Sequence, residues 1–181
     1  DRDDSKRDTR IEYMKELKEK YIEFHRYKWP SVPDHARSLP NYFGQSTKTN
    51  GLTRLILCAI RLKGWQAERI SSSGRYVDNS EVVTDCIGRQ KKIGGGKYIR
   101  GTTQVGTADI SANIDGRSIK IEVKNAATKD RMSDKQKEYK RRIELTGGVY
   151  YVATDIESFL EWLQQFPDNE RKLEMWNEFG V

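Results

Sequence analysis

The sequence predicts an α/β protein, a mixed sheet flanked by helices with a helical segment in front of it. Three observations carry this. Residues 107–124 alternate apolar and polar side chains on both sides of an Asp115-Gly116 pair, as two antiparallel strands joined by a tight turn would. Apolar residues recur at spacings of three and four within 9–27, within 50–63 and again after Asp155, as on the buried face of a helix. A cappable helix and an apolar strand follow the hairpin, so the order is helix, sheet, helix, strand, helices.

Each element has its own grounds. In residues 9–27 the apolar stripe is Ile11, Met14, Leu17, Tyr21 and Phe24. Residues 29–49 hold three of the four prolines and read as an irregular segment lying over the body. In residues 50–63, Leu52, Leu55, Ile56, Ala59 and Ile60 make a wide apolar face, and Gly64 supplies the left-handed residue that ends a helix. Residues 65–70 read as a short strand, with SSSGR as the turn after it. Residues 81–100 fit either two strands around the Gly94-Gly95-Gly96 turn or a flexible basic loop. The triple glycine lacks the G-x-x-x-x-G-K-[ST] pattern and the following helix of a phosphate loop.

In the hairpin, Ile110, Ala112 and Ile114 alternate with Asp109, Ser111 and Asn113, and Ile119, Ile121 and Val123 alternate with Lys120, Glu122 and Lys124. Ser133 and Gln136 have the spacing of a capping box, so a helix starts there and ends at Gly147-Gly148. Residues 149–154 read as a buried strand. Asp155 caps a helix that Pro167 stops, and residues 168–179 form a last, acidic helix. These elements divide the chain into an N-terminal helix and proline-containing linker over 1–45, a core over 46–166, and a C-terminal helix over 167–181.

The chain has 181 residues, enough for one domain with appendages. Nowhere does it hold the roughly 20 consecutive apolar residues of a membrane span. The stretch DRDDSKRDTR has no apolar core of a secretory signal. Two cysteines and two histidines, all scattered, make neither a disulfide framework nor a zinc site. The expectation is a soluble, cytoplasmic protein. Its charge is segregated: residues 117–142 hold ten basic and four acidic side chains, and residues 89–100 five basic and none acidic, whereas residues 155–181 hold seven acidic and two basic. Clustered lysine and arginine are a footprint of polyanion binding.

The hairpin also carries candidate chemistry. Glu122 and Lys124 are two residues apart and share a strand face, and antiparallel pairing brings Asp109 close to Glu122. Two carboxylates beside a lysine suit a hard divalent cation with oxygen ligands. The same pattern also suits a solvated strand face of alternating charge.

The ordered set GTAD at 106–109, EVK at 122–124, and Gln136 and Tyr139 in the next helix resembles the PD-(D/E)XK nuclease superfamily. More closely it resembles VRR-NUC-type nucleases of phages and prophages, over roughly residues 48–165. The resemblance implies a restriction-endonuclease-like core and an Mg2+- or Mn2+-dependent deoxyribonuclease of bacterial or phage origin, an endonuclease acting on structured or branched DNA. Asp109 and Glu122 would hold the metal, with the Val123 carbonyl as a third ligand. Lys124 would be the catalytic lysine beside the attacking water. Gln136 would contact phosphate or a metal-bound water in addition to its capping role, while Tyr139 would pack.

Two departures stand out. Ala108 stands where many members have proline. Asn50 stands where many carry an additional acid, and Glu68 on the next strand reads either as a substitute for it or as a surface strand residue. DNA phosphates would be met by Arg69, Ser73, Arg75, Lys97, Arg100, Lys129, Arg131 and Lys135. Homodimers are common among such nucleases. The alternative reading is a catalytically inactive nuclease fold that binds DNA as a subunit, for which Asn50 is the support.

Overall fold

The structure, a computed structural model, describes residues 2–71, 74–99, 101, 104–126 and 131–178, with the side chains of the first helix described from Ile11 onward. It is α/β, with a mixed sheet between helices. Helix α1 spans Arg2–Lys28 and α2 spans Thr49–Leu62, with short 3-10 turns at Asp34–Ala36 and Asn41–Gly44 between them. Eight strands follow: β1 Gln66–Arg69, β2 Arg75–Asp78, β3 Glu81–Thr84, β4 Gln90–Ile93, β5 Gly96–Ile99, β6 Ile110–Ile114, β7 Arg117–Val123 and β8 Val149–Ala153. Helix α3, Asp134–Leu145, crosses from β7 to β8, and α4 (Ile156–Leu163) and α5 (Lys172–Glu178) end the chain.

The main sheet has the order β1-β6-β7-β8. Its first two pairings are antiparallel, and β8 joins β7 in parallel, as the intervening helix requires. The β6–β7 hairpin is the predicted one. Asp115 and Gly116 both have positive φ, 51° and 73°, which a two-residue turn between twisted strands demands.

One face of the sheet is apolar throughout. Ala67, Ile110, Ala112, Ile119, Ile121, Val123 and Ala153 are buried there, in one cluster with Leu52, Leu55, Ile56 and Ile60 of α2 and Ile156, Phe159 and Leu163 of α4. Helix α1 adds Leu17 and Phe24 to the same cluster, and α5 adds Trp176. Ile11, part of the predicted α1 stripe, is 62% exposed.

The C-terminal segment also closes the end of α2. Helix ends leave carbonyls without partners. Here the Trp176 indole N–H donates to the Arg61 carbonyl (3.1 Å), the Asn169 N–H to that of Lys63 (2.8 Å) and the Asn169 side chain to that of Gly64 (2.8 Å). Gly64 has φ +79°, and a β-carbon there would lie 2.7 Å from the Lys172 backbone. Both the left-handed turn and the close approach of α5 require glycine.

Residues 75–99 hold four strands, arranged differently from either expectation. The triple glycine joins β4 to β5, but these do not pair with each other. Strand β3 pairs with β4 around an Asp85 turn, and β2 pairs with β5 outside it. These two ladders stand apart from the main sheet, and most of their residues are exposed. Among the described residues no helix is long and apolar enough to cross a membrane.

Candidate active site

The site forms where β6 and β7 meet α3. Ile110 stands opposite Ile121, so the next step outward sets Asp109 opposite Glu122 on the second face of the sheet. That face is covered around Glu122 and Tyr150, while Asn113 and Ser118 farther along it are exposed. Glu122 is 2% exposed, although its alternation with Lys120 and Lys124 reads as a polar, outward-facing row. Asp109 is half-buried, and its Oδ2 accepts the Val123 N–H at 2.9 Å, which ties its carboxylate to β7 beside Glu122. Its own carbonyl accepts the N–H of Ile70 at 2.8 Å, which continues the β1–β6 pairing.

Three donors converge on Glu122. Lys124 Nζ lies 3.2 Å from Oε1, with the lysine side chain 11% exposed. The Gln136 side-chain amide donates to the same oxygen. Tyr150, buried on β8, brings its hydroxyl to 3.5 Å from Oε2. Burial pushes the Glu122 carboxyl up to about 7, and the negative charge of Asp109 adds to the shift. The bonds and charge of Lys124 oppose it, as does the Tyr150 hydroxyl. Burial and the Glu122 charge likewise raise the Tyr150 hydroxyl above its ordinary value.

Gln136 makes the predicted cap and also reaches Glu122. Its Oε1 accepts the Ser133 N–H at 2.9 Å, while the Ser133 hydroxyl accepts the Gln136 N–H at 3.4 Å, which completes the capping box. With the amide oxygen so engaged, the nitrogen turns toward Glu122. The cap therefore orients the donor. Gly106 makes this approach possible. It has φ +88°, and a β-carbon there would lie 2.5 Å from the Lys135 carbonyl oxygen and 3.0 Å from the Gln136 nitrogen. The strand carrying Asp109 thus enters directly against the first turn of α3. Tyr139 packs edge-on against Tyr150, with ring centroids 6.2 Å apart.

Asp109, Glu122, Val123, Lys124 and Gln136 are brought together. The predicted phosphate contacts are dispersed. Arg69, exposed on β1, donates to the Asn50 side chain at 3.1 Å. Arg75 and Lys97 are exposed on β2 and β5. Arg131 is exposed ahead of α3 and Lys135 in its first turn, where it lies 3.7 Å from Glu138. Ser73, Arg100 and Lys129 lie outside the described residues. Glu68 is exposed on β1, opposite Ser111, whose hydroxyl bonds Lys120.

Sequence reasoning missed Tyr150, which reads simply as one residue of an apolar strand, and Asn125. Asn125 is 4% exposed and donates to the Ser46 carbonyl at 3.3 Å, which fastens the end of β7 to the approach of α2. Gly106 was visible only as part of the GTAD motif.

Among the described residues no three histidine, cysteine or carboxylate side chains gather into one group. The donor set is two carboxylates, both hard oxygen ligands. They face one another across the β6–β7 pairing. This arrangement fits a single divalent cation such as Mg2+, which completes its shell with water and substrate oxygens. Compared with protein families, with curated proteins and with solved structures, the chain has no match.

Proposed function

We propose that this chain is an Mg2+- or Mn2+-dependent nuclease that hydrolyses DNA phosphodiester bonds, an endonuclease on structured DNA, with a restriction-endonuclease-like core. The observation that carries the reading is the meeting of Asp109, Glu122, Lys124 and Gln136 at one end of the β6–β7 hairpin. The clustered basic charge of residues 117–142 supports a polyanionic substrate.

In this reading Asp109 and Glu122 would hold the cation, with the Val123 carbonyl as a third ligand. A bound divalent cation polarises the phosphodiester and lowers the pKa of water. The protein groups do the rest. Lys124 places a positive charge at the carboxylate pair and is positioned to orient the attacking water or to offset charge that develops on the phosphate. Gln136 and Tyr150 hold the two Glu122 oxygens in place, so that the carboxylate does not rotate away when substrate arrives. Asp109 is held by the Val123 amide in the same way. The site is therefore organised before substrate binds.

The test is cleavage of supercoiled plasmid, linear duplex, flap and four-way-junction DNA with Mg2+, Mn2+ or EDTA. Product should form with either metal and not with EDTA. Lys124→Ala should lower the rate by about a hundredfold or more, and Glu122→Ala should abolish product while DNA affinity persists. Tight binding that survives EDTA, with no product from any substrate, would replace this reading with that of a DNA-binding subunit.

A further inference from the structure

The β2–β5 ribbon has a feature that the hydrolytic site does not use. Tyr76 and Tyr98 stand opposite one another in its register, on the same face. Each ring lies across a glycine of the opposing strand. A β-carbon on Gly96 would collide with the end of the Tyr76 ring, and one on Gly74 would lie 2.6 Å from that of Tyr98. Glycine at these two positions is what lets the rings lie down on the ribbon. Yet Tyr76 is 65% exposed and Tyr98 59%. The ribbon thus carries two aromatic rings braced from below and open to solvent.

The ribbon as a whole is cationic, with five basic and three acidic side chains over residues 74–99. Arg75 and Lys97 project from its other face, since each is one residue from a tyrosine in the register, and Lys91 lies on the adjoining β4; none of the three has a carboxylate partner among the described residues. Two of the three acids in residues 74–99 are already engaged. Asp78 accepts from Ser80 and from Lys92, and Asp85 accepts the backbone N–H groups of Ile87 and Arg89. The ribbon is also rooted at the candidate site. The chain leaves the main sheet at Ile70, bonded to Asp109, and returns to Asp109 through the loop containing Gly106.

We propose that the β2–β5 ribbon is a stacking platform for the unpaired bases of a single-stranded DNA segment, with Tyr76 and Tyr98 as the two base-contacting rings and the ribbon's excess positive charge as the field that attracts the backbone. Exposed aromatic rings in a positive setting take bases without regard to sequence. The proposal names a substrate class for the nuclease reading above and rests on it only for what happens to the strand afterwards.

The experiment is fluorescence anisotropy in EDTA. The probes are a labelled single-stranded DNA oligonucleotide, its duplex, an abasic strand of equal length and an RNA strand of the same sequence. The proteins are the parent, Tyr76→Leu, Tyr98→Leu, Tyr76→Phe, Tyr98→Phe and Glu122→Gln. Leucine keeps a cover over the glycine but has no π-face, so it separates stacking from folding. Each leucine variant should bind the single strand about tenfold more weakly, with the phenylalanine variants near the parent and affinity for the abasic strand and duplex unchanged. Parent-like binding by both leucine variants would overturn the proposal. So would equal losses on the abasic strand, high-affinity binding confined to RNA, or a shift from dimer to monomer in sedimentation with no change in affinity per chain. Cleavage in Mg2+ is scored separately, with Glu122→Gln as its inactive control, so failure of the platform and failure of the nuclease reading are told apart.

Discussion

Glu122 is held in a state that opposes its own ionisation. Its carboxyl titrates near 7 in the fold, against 4.5 for an ordinary glutamate. Between these values the folded chain keeps a proton that the unfolded chain has lost, so stability should fall as pH rises from about 4.5 to 7 and level off above. The full change is on the order of 3 kcal/mol. Chemical denaturation in EDTA across pH 4–9 measures it. Glu122→Gln should flatten that part of the profile and leave the variant more stable than the parent at pH 8. Millimolar Mg2+ should raise stability above pH 7 in the parent and not in the variant. A parent profile that is flat from pH 4.5 to 7 would show that Glu122 is not strained by burial and by Asp109. Lys124→Ala removes the main opposing charge, so its destabilisation should be small at pH 5 and grow toward pH 8, measured in the same series.

At the scale of the element, α3 is both a cover and a positioning device. Ser133→Ala should cost about 1 kcal/mol through loss of the cap, read as a shift in denaturation midpoint. Gln136→Glu keeps an acceptor for the Ser133 amide but replaces the donor to Glu122 with a third carboxylate. Its helix should remain, by circular dichroism, while cleavage falls and the pH-dependent loss of stability moves to higher pH. Gly106→Ala meets both a positive φ and the Lys135 carbonyl. The backbone conformation alone costs about 1–2 kcal/mol, and the overlap would push α3 away from Asp109. Thermal denaturation should show the loss, with cleavage falling more steeply than stability accounts for.

Across the whole molecule, the helical front and the acidic tail belong to the body they flank. Asp168 receives Lys63 at 3.2 Å, Lys172 at 3.1 Å and Lys20 at 3.3 Å, and so joins the end of α2 to α5 and α1. Those lysines hold its carboxyl below the usual range even though burial pulls the other way. Trp176, 1% exposed, meets Phe24 of α1 edge-on at 5.4 Å and closes α2 through its indole N–H. Trp176→Ala should cost about 3–5 kcal/mol, enough to lower the melting temperature sharply. A change confined to the last helix, with the rest melting as before, would mean that α5 is not part of the cooperative unit.

What the sequence determined by itself is local. Alternation sets the β6–β7 hairpin, because Asp115-Gly116 fixes its turn and the turn fixes its register. Spacing sets the α2 face and the Ser133–Gln136 box, since both depend on residues one turn apart. The pairing of Asp109 with Glu122 follows from the hairpin, so that much of the site was legible too. Tertiary structure decided the rest. Parallel pairing of β7 with β8 leaves no trace in a turn, so the arrival of Tyr150 at Glu122 could not be read. The approach of α3 and Tyr150 to one end of the second sheet face turned an apparently solvated glutamate into a buried one. The exchange of partners among β2, β3, β4 and β5 escaped for the same reason. A short strand carries its preference for extension in its own residues, but its choice of neighbour lies in the free energy of contacts made far along the chain.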